Sequence, residues 1–291
     1  MAVFNVPTRL AFQTILVATS FSASSRPALA WAGAVARRAG GKVIVAHVKT
    51  PRWQVVNPHA VHPALCQPTR SAEKKLCSLL KSADLRGVEI DTLLKEGDFR
   101  EVLCSIAHER GAELLVVGTK GRRGLGKLLF GSTAEDVCRV APCPIVLVGP
   151  KVGAEQEPSI SRILFPTDLS APSLGALPIV LALAEQHESK LRLVRMLEEG
   201  GDDGGREFAL KQLESEFGPL LTHRTRLSHE PEFAVETGPA AASIRRIARE
   251  WPADLIAVGT HRPGTLASHL PGDLVYDIAC DAHCPVLTIS D

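Results

Sequence analysis

The chain repeats itself. TILVATSFSASS (14–25) matches RILFPTDLSAPS (162–173), and AELLVVGTKGRRGLGKLLFGS (112–132) matches ADLIAVGTHRPGTLASHLPGD (253–273). APCPIVLV (141–148) matches AHCPVLTI (282–289), and Lys95-Glu96-Gly97 matches Glu236-Thr237-Gly238, all at a nearly constant offset. Self-similarity over so long a period means that one structural plan is built twice. The 291 residues therefore divide into two domains, 10–150 and 158–291, each large enough to bury its own core. The Pro-, Gly- and Glu-containing stretch PKVGAEQEPS (150–159) suits an exposed connection between them.

Within each half, short apolar runs alternate with helical patterns. In the first half strands are expected near 14–19, 42–48, 89–95, 113–118 and 143–148, and helices near 24–39, 69–83, 98–110 and 132–140. The second half places strands near 162–167, 190–196, 233–237, 254–259 and 285–289. A chain that is 45% hydrophobic but only 4% aromatic is rich in the aliphatic residues that fill buried parallel strands. The expected fold class is α/β: two tandem doubly wound domains, each a five-stranded parallel sheet flanked by helices, with a ligand site beyond the carboxyl ends of the first and fourth strands. The last strands, CPIVLV (143–148) and CPVLTI (284–289), are apolar edges that need cover. Pairing them within one chain makes an intramolecular pseudo-dimer, and a homodimer of the whole chain is compatible with the same pattern.

Charge and cysteine usage exclude several classes. A formal net charge of +1 gives no field that gathers nucleic acid or an anionic membrane, and Arg122, Arg123 and Lys127 form only a local basic cluster. Cys104, Cys138, Cys143, Cys280 and Cys284 lie in apolar segments without C-x-x-C spacing, which reads as reduced, buried thiols in a cytoplasmic protein rather than as a zinc site. LAFQTILVATSFSASSRPALA (10–30) imitates a signal peptide, yet the same pattern recurs at 162–184, deep in the chain. No apolar run approaches the roughly 20 residues that span a bilayer. GGDDGG (200–205) lacks the alternating ligands and terminal Glu of a calcium loop and reads as a surface loop.

The most informative stretch begins at Gly118-Thr119-Lys120-Gly121 and, nine residues later, reaches Gly131-Ser132. Glycines at both ends allow close approach of backbone to ligand. Ser132 with Glu135 forms a capping box, and a helix start offers free amides to a phosphate; the same residues also serve as an ordinary helix cap. GRRGLGK (121–127) imitates a P-loop, but Leu128 stands where Ser or Thr must reach magnesium.

The G-x2-G-x9-G-S spacing after the fourth strand, followed by APCPIVLV, resembles the nucleotide-binding signature of the universal stress protein family, twice along the chain. The resemblance implies a five-stranded parallel sheet, dimerisation through the last strand and, in many members, ATP bound (with Mg2+) and hydrolysed slowly or not at all. Carried over by position, it implies base and ribose contacts at Ala18, Ser20, Val48 and Val117, and phosphate and ribose contacts at Gly118, Gly121, Gly131, Ser132 and Thr133. The family's Pro-x-Asp after the first strand is Ala18-Thr19-Ser20 here, so a strong acceptor is replaced by a neutral one. The second half keeps Pro166-Thr167-Asp168, but its loop runs Gly259-Thr260-His261-Arg262 and, nine residues later, Gly272-Asp273. Arg262 fills space that glycine leaves open, and Asp273 caps the following helix while repelling an anion. The second site therefore reads as degenerate.

No catalytic constellation emerges from the ten histidines. His47 ends the second strand as a wall residue, with Arg195 as its counterpart, and His59, His62, His261 and His269 have no ligand-spaced partners. Three functions stay open: a stress-response nucleotide binder with one competent site, a non-nucleotide scaffold that binds an unknown protein partner, and a slow ATPase or nucleotide-transfer enzyme of related fold.

Overall fold

The computed structural model describes residues 12–22, 25–50, 70–80, 82–119, 137, 140–153, 158–197, 203–224, 226–260 and 271–290. The first half runs β1 (Thr14–Ala18), α1 (Arg26–Ala39), β2 (Lys42–Lys49), α2 (Arg70–Leu80), β3 (Glu89–Glu96), α3 (Phe99–Glu109), β4 (Leu114–Gly118) and β5 (Ile145–Val148). The second repeats the plan as β6 (Arg162–Thr167), α4 (Ala171–His187), β7 (Lys190–Leu197), α5 (Asp203–Arg224), β8 (Glu232–Thr237), α6 (Ala240–Glu250), β9 (Leu255–Thr260), α7 (Pro271–Asp281) and β10 (Val286–Ser290). The expected helix at 132–140 lies mostly outside the described residues.

Local sequence explains the element ends. Helix α1 carries Pro in its first turn and stops at Gly40, whose φ of 64° is left-handed and whose N–H returns to the Ala36 carbonyl, a glycine-type C-terminus. The Asp98 side chain caps α3 by accepting from the Glu101 N–H at 3.0 Å, a contact worth about 1 kcal/mol. One expectation is corrected. GGDDGG is not a loop throughout, because Asp203, Gly204 and Gly205 already belong to α5. Burial of Ala209, Leu213 and Phe217 anchors that helix, and first-turn amides need no intrahelical partner, so glycines are tolerated there.

The strands form a single ten-stranded sheet in the order β3-β2-β1-β4-β5-β10-β9-β6-β7-β8. Every neighbouring pair is parallel except β5 with β10, which run antiparallel with Val286 opposite Leu147, Leu287 opposite Val146 and Thr288 opposite Ile145. Two parallel halves are thus joined edge to edge inside one chain. Strand alternation sends Ile15, Val17, Val146, Ile163, Phe165 and Leu287 to one face, under α1, α2, α4 and α5. It sends Leu16, Ala18, Leu147, Leu164, Ile256 and Val286 to the other, under α3, α6 and α7. Both cores cross from one domain into the other without a break.

Contacts beside the seam are close. A Cβ at Gly149, just beyond β5, would lie 2.0 Å from the Ala279 carbonyl oxygen of α7, so only glycine lets the two backbones meet. Lys151 Nζ reaches Asp281 Oδ1 at 2.8 Å. On the other face, burial pushes the His187 imidazole down to about 4, helped by the Arg38 guanidinium from the first domain.

Replacing Gly149 with Ala should cost about 1–3 kcal/mol through backbone displacement; an unchanged thermal unfolding midpoint would refute this account of the seam. The pH dependence has a definite sign. The unfolded chain protonates His187 near 6.5, whereas the folded chain resists down to about 4. Its contribution is therefore complete above pH 6.5 and is lost as pH falls through that window. Urea midpoints between pH 7 and pH 4.5 should fall less steeply for His187→Gln than for the parent chain. His283, lowered chiefly by burial, leaves part of the slope in place.

Candidate functional site

Strand order reverses between β1 and β4, whose crossovers leave in opposite directions, and this opens a crevice at their carboxyl ends. Beside it stands the end of β2, paired with β1 from Thr14 opposite Lys42 to Ala18 opposite Ala46. The structure brings Ala18, Val48 and Val117 into one buried cluster on the α3 face. Gly118 closes β4 opposite Val148. The second half builds the equivalent crevice between β6 and β9. Gly121, Gly131, Ser132, Thr133 and Arg262 lie outside the described residues.

The turns after the first strand of each half share two backbone features. Phe21 N–H donates to Thr19 Oγ1 at 3.1 Å and Leu169 N–H to Thr167 Oγ1 at 3.0 Å. Phe21 and Leu169 share left-handed φ values of 59° and 64°, a conformation costing roughly 1–2 kcal/mol for a residue with a side chain. What differs is the polar residue carried between them. Asp168 Oδ1 accepts from the Ser170 N–H at 2.9 Å. Ser20 enters a hydroxyl cluster instead, with Oγ atoms 2.8 Å from Ser22 and 3.1 Å from Ser25, while its N–H donates to Ser25 Oγ at 3.1 Å.

His47 braces this turn. Its Nδ1 lies 2.8 Å from the Thr19 carbonyl oxygen; since a carbonyl only accepts, Nδ1 carries the hydrogen. The ring also stacks on Phe21 with centroids 4.3 Å apart, and Lys75 Nζ sits 5.7 Å from the Phe21 centroid. At the equivalent place in the second half, Arg195 donates to Gln212 Oε1 on α5. Each is a wall residue tying the second strand to its neighbours.

Two second-half assignments change. Gly259 has a packing reason to be glycine, because a Cβ there would lie 2.4 Å from the Pro172 carbonyl oxygen and 2.7 Å from Ser173 Cα, at the start of α4. Gly272 and Asp273 fall inside the first turn of α7, which opens at Pro271, and not ahead of it. Pro can begin a helix because the first-turn amide it lacks is unpaired anyway.

Thr119 is a residue that motif reasoning passed over. It is 3% exposed, its N–H donates to the Val148 carbonyl at 2.8 Å, and among the described residues its hydroxyl has no partner. The equivalent Thr260 Oγ1 lies 3.2 Å from Thr288 Oγ1, and Leu147 occupies the matching position in the first half. Aligning LVLV-type strand ends of the two repeats, IVLV (145–148) against VLTI (286–289), carries that signal.

Thiols contribute little here. Cys280 and Cys284 are buried as expected, but Cys104 and Cys143 are half-buried and Cys77 is exposed. Burial pushes the Cys143 and Cys284 thiols up to about 12, which keeps both protonated and poor metal ligands. Among the described residues no group of three His, Cys, Asp or Glu side chains is placed to hold a metal ion, and no helix is long and apolar enough to cross a membrane.

The model of the universal stress protein family matches the chain twice, at residues 11–149 and 159–290. A universal stress protein of Thermus aquaticus is 33% identical over 138 residues, covering 47% of this chain and 98% of its own length. One from Mycolicibacterium smegmatis is 24% identical over 304 aligned positions, with 94% of this chain and 96% of that protein covered. The crystal structure of a universal stress protein from Archaeoglobus fulgidus superposes with a TM-score of 0.71 at 17% identity, over 96% of this chain and 98% of that one. Two copies of the same doubly wound unit, each with its crevice at the reversal of strand order and each matched by the same family model, make this chain a tandem member of the universal stress protein family.

Proposed function

We propose that domain 1, residues 10–150, binds ATP or a related adenosine compound, and that domain 2, residues 158–291, is a degenerate copy that completes the fold without binding nucleotide. One observation carries this reading: Ala18, Val48 and Val117 form an apolar wall on a single sheet face at the first strand-order reversal, directly beside Gly118, where a planar base can lie. Ser20 supplies a neutral hydrogen bond. In this reading Gly118, Gly121, Gly131, Ser132 and Thr133 take the ribose and phosphates, as the sequence motif implies. ATP brings its Mg2+ with it.

Binding rather than turnover fits the chemistry of the crevice. The two groups nearest the turn are already used, His47 by the Thr19 carbonyl and Ser20 by its serine neighbours. Ser20 stands where the family carries a carboxylate, and a serine hydroxyl is too weakly basic to take that carboxylate's place as a general base. The role proposed with it is that of a cytoplasmic stress-response protein that binds a nucleotide and acts through an unknown protein partner. The rival reading, a scaffold that binds no nucleotide, draws on the same serine cluster, because Ser20 stands where the family carries a carboxylate.

Native mass spectrometry of the purified chain with ATP should show one nucleotide per polypeptide, abolished by Gly131→Val together with Ser132→Asp. No retention at millimolar ATP favours the scaffold, and two nucleotides per chain would show domain 2 to be competent. Ser20→Asp should tighten binding by about five- to tenfold, the difference between a neutral and a charge-assisted hydrogen bond; isothermal titration reads it directly.

A further inference from the structure

The peptide unit that joins Thr19 to Ser20 is held at both ends. Its carbonyl accepts from His47 Nδ1 at 2.8 Å, and its N–H donates to Ser25 Oγ at 3.1 Å. Thr19 itself is buried, and its own N–H donates to the Ala46 carbonyl at 2.9 Å, which continues the β1–β2 ladder by one step. The ladder then ends, and a side chain takes over from it. A buried carbonyl left without that donor would lose its water uncompensated. The same imidazole stacks on Phe21, with ring centroids 4.3 Å apart, and Phe21 is held in the left-handed region at φ 59°. One histidine thus grips the residue before Ser20 through a hydrogen bond and the residue after it through a ring.

Strand alternation separates this brace from the wall of the crevice. Val48 joins Ala18 and Val117 on the α3 face, so His47, one residue earlier, points to the opposite face. There Phe21 packs against the other core, with Lys75 Nζ of α2 at 5.7 Å from its ring centroid. His47 therefore stands behind the apolar wall, and its influence on a ligand passes through the turn. Domain 2 holds its turn with other groups. Asp168 Oδ1 accepts from the Ser170 N–H at 2.9 Å, and Ser173 Oγ donates to Thr167 Oγ1 at 2.8 Å, while Arg195, in the place of His47, donates to Gln212 on α5.

We propose that His47 is a positioning residue of the domain 1 site: by clamping the Thr19 carbonyl and stacking on Phe21, it fixes the direction in which the Ser20 hydroxyl meets an adenine nucleotide. His47 touches no ligand itself. This inference rests on the nucleotide-binding reading above.

The test titrates ATP into the full-length chain and its His47→Phe, His47→Asn, His47→Gln, Ser20→Ala and His47→Phe/Ser20→Ala variants, with folding of each checked by thermal unfolding. His47→Phe keeps a ring against Phe21 but loses the donor, and should weaken ATP binding about fivefold. His47→Asn places an amide N–H where Nδ1 stands and should stay within about twofold of the parent, whereas His47→Gln, whose amide lies one carbon further out, should lose about fivefold. With Ser20→Ala already present, His47→Phe should cost less than about twofold more, because both changes remove one and the same contact. A His47→Phe chain that binds ATP as tightly as the parent ends the inference and leaves the nucleotide-binding reading standing. An equal loss with and without Ser20 overturns it in favour of a purely structural histidine. If His47→Phe does not fold, the asparagine and glutamine variants decide, and equal affinities for those two overturn the inference. A parent chain that binds no ATP removes the nucleotide-binding reading and this inference with it.

Discussion

The antiparallel pairing of β5 with β10 is the contact on which the rest of the molecule depends. Each domain alone ends in an apolar strand whose outer backbone groups have no partner, a surface prone to pairing with other chains. Joining the two edges satisfies both at once and turns two five-stranded sheets into one of ten strands. The strands left at the outside, β3 and β8, carry Glu89, Asp91, Lys95 and Glu96, and Glu232 and Glu236, charges that discourage further edge addition.

That union has consequences well away from the seam. Because both cores run continuously through it, side chains of one domain complete the packing of the other, and the close meeting of Gly149 with Ala279 follows. It also brings Arg38 near enough to His187 to disfavour a second positive charge. Neither contact belongs to a domain considered separately.

The two halves differ in polar chemistry on a shared strand plan. The turns after β1 and β6 share hydrogen bonds and left-handed residues, yet one carries Ser20 and the other Asp168. His47 and Arg195 brace corresponding strands with different partners. Among the described residues the Thr119 hydroxyl after β4 has no partner, whereas that of Thr260, at the end of β9, lies beside Thr288. The scaffold is conserved within the chain; the groups that a ligand would meet are not.

Much of this was legible before any coordinates. Aliphatic runs such as TILVA and LLVVG are buried parallel strands because both their faces meet helices, and the internal repeat established two domains of one plan. Right-handed crossovers put a ligand crevice beyond the first and fourth strands, whereas Ala18, Val48, Val117 and Gly118 are named as its residues by the resemblance to the universal stress protein family. Other features were not readable, for a physical reason: they arise where segments distant in sequence touch. Gly259 looked like a ligand-loop glycine, and only the approach of α4 revealed its packing role. GGDDGG looked like a loop until burial further along drew part of it into α5. Thr119 looked like an unremarkable motif position until its neighbours were known. Local sequence determines propensity, periodicity and repeat; whether a glycine or a hydroxyl has a partner is decided by what the tertiary structure brings within a few ångströms of it.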